Sequence, residues 1–136
     1  MPARAGFVGT MNFLAAEIDG AKRLVVAGTT APLAGTPKIG TVALAIRPEH
    51  VEVVAADSVD GTAALRLPGK ILKTIFLGRE AHLKIDTPSG PVTAELLDPR
   101  TEQLEMTGAA VTLRLPFNRL RAFDASGAWL PLEFVA

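Results

Sequence analysis

The sequence predicts an all-β protein, a small barrel or sandwich, and three observations carry that prediction. Apolar and polar residues alternate with a period of two in several stretches, the signature of strands with one face buried. These stretches are short and close at Gly, Pro or polar turns. Helix signals are nearly absent.

In chain order, Asn12 to Asp19, Lys22 to Ala27 and Ile39 to Arg47 are strand-length segments, each ending at Gly, Pro or a polar turn. Lys70 to Leu77 is apolar at positions on both faces, which predicts a central strand covered on both sides. The cleanest alternation is Ala81, Leu83 and Ile85 against His82, Lys84 and Asp86. Pro88-Ser89-Gly90 follows as a turn, and Val92, Ala94 and Leu96 then alternate with Thr93 and Glu95, so this stretch reads as a β-hairpin. Asp98-Pro99, with Glu102, Leu104 and Gly108 beyond, is either a short capped helical turn or a loop. Val111, Leu113 and Leu115 form a strand closed by Pro116, and Ala128 to Val135 is a last strand whose Pro131 suggests an edge or bulge.

With 136 residues the chain buries one core, or two small ones sharing an interface. A polar turn at 56–61 divides it into two parts, each too small to stand alone, so the parts are expected to pack together, with the last strand crossing back to the first. Fourteen Lys and Arg balance fourteen Asp and Glu, whereas a protein that grips phosphates shows a basic excess. The cluster Arg114, Arg119 and Arg121 therefore reads as a solvated rim, and Phe76, Phe117 and Phe134 as core rather than stacking platforms. No cysteine is present, which excludes disulfides, thiolate metal ligands and a thiol nucleophile. No apolar run approaches the length of a membrane helix, and residues 1–5 lack the apolar region of a signal peptide.

The chemistry-bearing patterns are also missing. There is no Gly-x-x-x-x-Gly-Lys-Ser/Thr phosphate loop, no Gly-x-Ser-x-Gly and no His-Glu-x-x-His. His50 and His82 are far apart and read as surface or turn residues, without carboxylates at ligand spacing. The carboxylate pairs Glu49/Glu52 and Glu102/Glu105 read as solvated groups. The reading is therefore a protein with no catalytic residues, no cofactor and no metal.

Two stretches are more specific: Gly6-Phe7-Val8-Gly9-Thr10-Met11-Asn12-Phe13-Leu14 and Val42-Ala43-Leu44-Ala45-Ile46-Arg47-Pro48-Glu49-His50-Val51. With Gly69-Lys70-Ile71, Phe76-Leu77-Gly78, Gly108 to Leu113 and Leu120 to Asp124, they resemble the TOBE (transport-associated OB) domain. That domain follows the nucleotide-binding domain in ATPase subunits of bacterial ABC importers of the maltose, spermidine and ferric-iron type. The resemblance covers Gly6 to about Asp124. It implies an OB-fold-like β-barrel at residues 12–136, preceded at 1–11 by a linker from an ATPase domain that this sequence lacks. It further implies a non-catalytic regulatory and dimerisation role in the cytoplasm, peripheral to the inner membrane. The implied partners are the parent ATPase domain, a second ATPase subunit and, indirectly, the membrane subunits; neither nucleic acid nor direct membrane insertion is expected.

The candidate contact residues are Arg47, Pro48, Glu49 and His50, together with Phe7, Asn12 and Phe13. Pro48 pushes Arg47 into an extended conformation and ends the strand at a defined corner, with Glu49 placed to pair with Arg47. Phe7 and Phe13 are either anchors toward the preceding domain or core. The alternative function is an oxyanion-binding barrel of the molybdate-binding type, against which stand the carboxylates of Asp98-Pro99-Arg100-Thr101-Glu102.

Overall fold

A computed structural model describes residues 11–56 and 63–135. Eleven strands form, in chain order, β1 (Asn12–Ile18), β2 (Arg23–Val26), β3 (Thr29–Pro32), β4 (Gly40–Ile46), β5 (Glu52–Ala55), β6 (Ala64–Phe76), β7 (Glu80–Thr87), β8 (Gly90–Leu97), β9 (Ala110–Pro116), β10 (Arg121–Asp124) and β11 (Trp129–Leu130). One helical turn, α1 (Thr101–Leu104), and two 3₁₀ turns, Pro48–His50 and Phe117–Arg119, complete the described elements. The fold is an all-β, OB-fold-like arrangement of two antiparallel sheets, ordered β11-β10-β4-β1-β2-β3 and β5-β9-β6-β7-β8.

The alternation seen in the sequence is the alternation of burial. Leu14, Ala16 and Ile18 of β1 turn inward, as do Ala81, Leu83 and Ile85 of β7. The inner faces meet in one continuous core with Leu44 and Ile46 from the first sheet and Leu65, Leu67, Leu113 and Leu115 from the second. The predicted hairpin is β7–β8, with Thr87 paired to Gly90 around a two-residue loop. Gly90 takes φ 112°, a conformation open to glycine, and the Thr87 hydroxyl donates to its carbonyl at 2.6 Å.

The change of sheet does not fall at 56–61. It falls at the Arg47–Val51 corner, because β5 already pairs with β9 of the second sheet. The chain returns to the first sheet when β10 pairs with β4. The segment predicted as one last strand is only β11 plus a bridge between Leu33 and Phe134, since Pro131 lacks the N–H a longer ladder needs. Two further expectations are corrected. Lys70 to Leu77 is not covered on both sides: the 13-residue β6 pairs with β9 over its first half and with β7 over its second, and the register shifts between Ile71 and Lys73. Leu72, Phe76 and Leu77 are accordingly exposed, and Phe76 is not core. Phe117 and Phe134 are half-buried against the core and stack on each other with ring centres 4.1 Å apart. The helical turn exists, but its cap is Arg100, whose backbone N–H donates to Gln103 Oε1 at 2.8 Å, and not Asp98.

Candidate interaction surface

The outer face of the first sheet is built by backbone register. Residues paired directly across antiparallel strands point to the same side of a sheet. Ala15 pairs with Ala43, Ala43 with Phe123, and Phe123 with Trp129, so one uncharged row crosses β1, β4, β10 and β11. The adjoining row is Phe13, Ala45 and Arg121. Ala15 is exposed and Ala43 half-buried, while Ala45 is fully covered; Phe13 is 62% and Trp129 61% exposed. Aromatic anchors around a flat apolar centre, rimmed by single charges such as Arg121 and Glu17, are the composition of a protein-binding patch.

Beside this face lies the junction of the two sheets. Arg47 is extended (φ −72°, ψ 146°), Pro48 is buried, and the Pro48–His50 turn is held by the His50 N–H donating to the Arg47 carbonyl at 3.0 Å. The Arg47 guanidinium lies 4.0 Å from the Glu49 carboxylate, with both groups about half exposed, a pair of little energetic weight. His50 is half-buried.

Asn12, only 6% exposed, sits at the start of β1 opposite Ile46. Its amide donates to the Thr93 carbonyl at 2.8 Å and accepts from the Thr93 N–H at 2.8 Å. It thereby supplies both hydrogen bonds that a neighbouring strand would give the edge strand β8. Ser89 adds a longer bond to the Ala15 carbonyl, 3.4 Å. Asn12 thus joins the sheets along the β1–β8 seam beside the Arg47–His50 corner, while Phe13 points outward into the apolar face. Phe7 lies outside the described residues.

The charged groups singled out in the sequence do not converge. Arg114 pairs with Glu52, Arg121 donates to the Asn118 and Leu120 carbonyls, and Arg100 lies 3.2 Å from Glu102. A groove of about 580 Å³ opens beside Arg114 and Glu52, walled by Phe117 and Phe134.

His82, read as an isolated surface histidine, is instead flanked by two carboxylates. Glu80 Oε2 lies 3.4 Å and Glu95 Oε2 3.6 Å from its Nε2. Glu80 and His82 are two apart on one strand and share a face, and Glu95 is the direct cross-strand partner of His82. Desolvation first, then the hydrogen bond and like charge of Glu80 and the charge of Glu49, push the Glu95 carboxyl above its ordinary value, with His82 opposing. The signal for this cluster was in the sequence: a two-residue hairpin loop at 88–89 fixes the opposition of 82 and 95. The Phe123–Trp129 row carried no such signal, because it depends on the order of strands in the sheet.

Comparisons with known proteins agree with the architecture. A solved structure of the cytoplasmic molybdate-binding protein ModG, with molybdate bound, superposes with a TM-score of 0.63 at 13% identity, covering 82% of this chain and 94% of that one. No curated protein matches by sequence. The family model described as the TOBE domain matches residues 44–123, more than half of the chain, from the middle of β4 to β10. By that match, on a fold of two sheets joined at the Arg47–His50 corner, the chain belongs to the TOBE domain family.

Proposed function

We propose that the chain is a non-catalytic regulatory and dimerisation module of the ATP-binding subunit of an ABC importer, working through protein–protein contacts. The observation that carries this reading is the uncharged row Ala15, Ala43, Phe123 and Trp129 with Phe13 beside it. Exposed Phe13 on β1 and Trp129 on β11, with half-buried Phe123 on β10 between them, make an apolar patch that a two-fold contact between copies would bury. In this reading the partners are the ATPase domain of the same subunit and a second copy, and the module works in the cytoplasm beside the membrane subunits. No described helix is long and apolar enough to cross a membrane.

Because the sequence contains no cysteine, a single Ala43→Cys substitution gives a clean test. Mild oxidation is expected to link two chains through position 43, and to link few when the cysteine is placed at Glu102 instead. Equal linking at both positions contradicts the reading.

A second reading, an oxyanion-binding module, is supported by the likeness in fold to ModG and by the groove beside Arg114. The Glu52 carboxylate against that guanidinium stands in its way. Calorimetry with molybdate, tungstate, sulfate and phosphate separates the two, and tight binding of any of them favours the second.

A further inference from the structure

We propose that Glu80, His82 and Glu95 form a binding site for a divalent transition-metal ion of the zinc class, with Glu80 Oε2, His82 Nε2 and Glu95 Oε2 as ligands. The three donor atoms lie within 4.8 Å of one another and come from two adjacent strands of one hairpin. Ligands held at 2.0–2.1 Å around a tetrahedral zinc ion stand about 3.4 Å apart. The imidazole nitrogen is 3.4 and 3.6 Å from the two carboxylate oxygens, so two edges of that tetrahedron are already close to length. The backbone supplies the preorganisation. Glu80 and His82 share one face of β7, and Glu95 is fixed opposite His82 by the two-residue turn at Pro88-Ser89.

The charge balance also favours a cation. Two carboxylates face one imidazole; Glu49, on the Pro48–His50 turn packed on β8, is paired with Arg47 at 4.0 Å, and Lys84, on the same face of β7, donates to the Thr93 hydroxyl at 3.3 Å. An ordinary salt bridge matches one carboxylate with one imidazolium and leaves no excess. A divalent ion neutralises both carboxylates. The imidazole selects a transition metal over magnesium or calcium, which prefer sets of six or more oxygens. All three side chains are about one-third exposed, so a fourth position is open to water or to a donor from a partner molecule. This site is separate from the apolar face and independent of the importer reading.

The test is titration of the full, untagged chain with cobalt chloride, followed by the visible absorption that marks tetrahedral cobalt, and with zinc chloride by calorimetry. One ion per chain is expected. His82→Ala and Glu95→Gln should each weaken binding at least about tenfold, the lower bound set by losses seen even for residues outside the ligand set. Unchanged far-ultraviolet circular dichroism shows that these exposed substitutions leave the fold intact. His50→Ala, which alters the other histidine, should bind as the parent does. Absence of saturable binding, or binding that survives in His82→Ala or is lost in His50→Ala, overturns the proposal.

Discussion

A buried asparagine at the start of a strand is an unusual device, and Asn12 shows why it is present. Its amide makes two 2.8 Å bonds with the backbone of Thr93, replacing a ladder that β1 and β8 do not form. Asn12→Leu keeps the branched shape but strands both Thr93 backbone groups at the seam, with a cost of about 1–3 kcal/mol, read from urea unfolding midpoints. Gly69 is the second residue whose identity the packing dictates. A Cβ there would meet Ile85 Cγ2 at 2.7 Å, so Gly69→Ala forces the sheet or the Ile85 rotamer to shift and should destabilise by about 1–3 kcal/mol. An intact stability in either variant contradicts the packing described. Neither role was legible in the sequence, where Asn12 appeared as a strand start and candidate contact residue and Gly69 only as part of a resemblance.

At the scale of elements, two aspartates organise the turns. The Asp124 carboxylate accepts from the Ser126 hydroxyl at 2.6 Å and from the N–H groups of Ser126 and Ala128 at 2.9 and 3.0 Å, closing the β10–β11 turn. Asp19 does the same for β1–β2, accepting from the N–H groups of Ala21 and Arg23 and pairing with the Arg23 guanidinium. The Ser126 hydroxyl and the turn N–H groups hold Asp124 below its ordinary 3.8; desolvation opposes the same lowering at Asp19, where the Arg23 and Ala21 bonds prevail. A carboxylate lowered by folding stabilises the native state above its unfolded pKa, and that contribution is lost as pH falls below 3.8 through the folded value. Glu95 has the opposite sign: its folded value lies above the ordinary 4.5, so stability is lost as pH rises from 4.5 through that value. Unfolding midpoints measured against pH should therefore fall on the acid side in the parent and fall less in Asp124→Asn. Glu95→Gln should remove the decline above 4.5, and identical profiles for all three proteins contradict these assignments.

The strands themselves were legible wherever one face is buried and the other wet, as in Ala81 to Leu96, because burial writes a period of two into the chain. Where that asymmetry fails, so did the sequence reading. The second half of β6 and the turn after it are apolar without being covered: Leu72, Phe76 and Leu77 are exposed, and nothing in their identity reports the register shift between Ile71 and Lys73.

For the whole molecule, the central feature is the corner at Arg47–His50, which sends the chain from one sheet to the other before β10 brings it back. That return places Phe123 and Trp129 beside Ala43 and Ala15 and creates the apolar face. The all-β class and the corner were visible in the sequence; the face was not, because only strand order assembles it. The importer reading rests on that face meeting a second copy. Sedimentation equilibrium of the purified chain, beside its Trp129→Glu variant, tests this most directly. The account predicts a concentration-dependent dimer for the parent and a dissociation constant at least about tenfold weaker for the variant, as expected on charging an aromatic anchor of a contact. A parent that stays monomeric at high concentration, or a dimer indifferent to the glutamate, would contradict it.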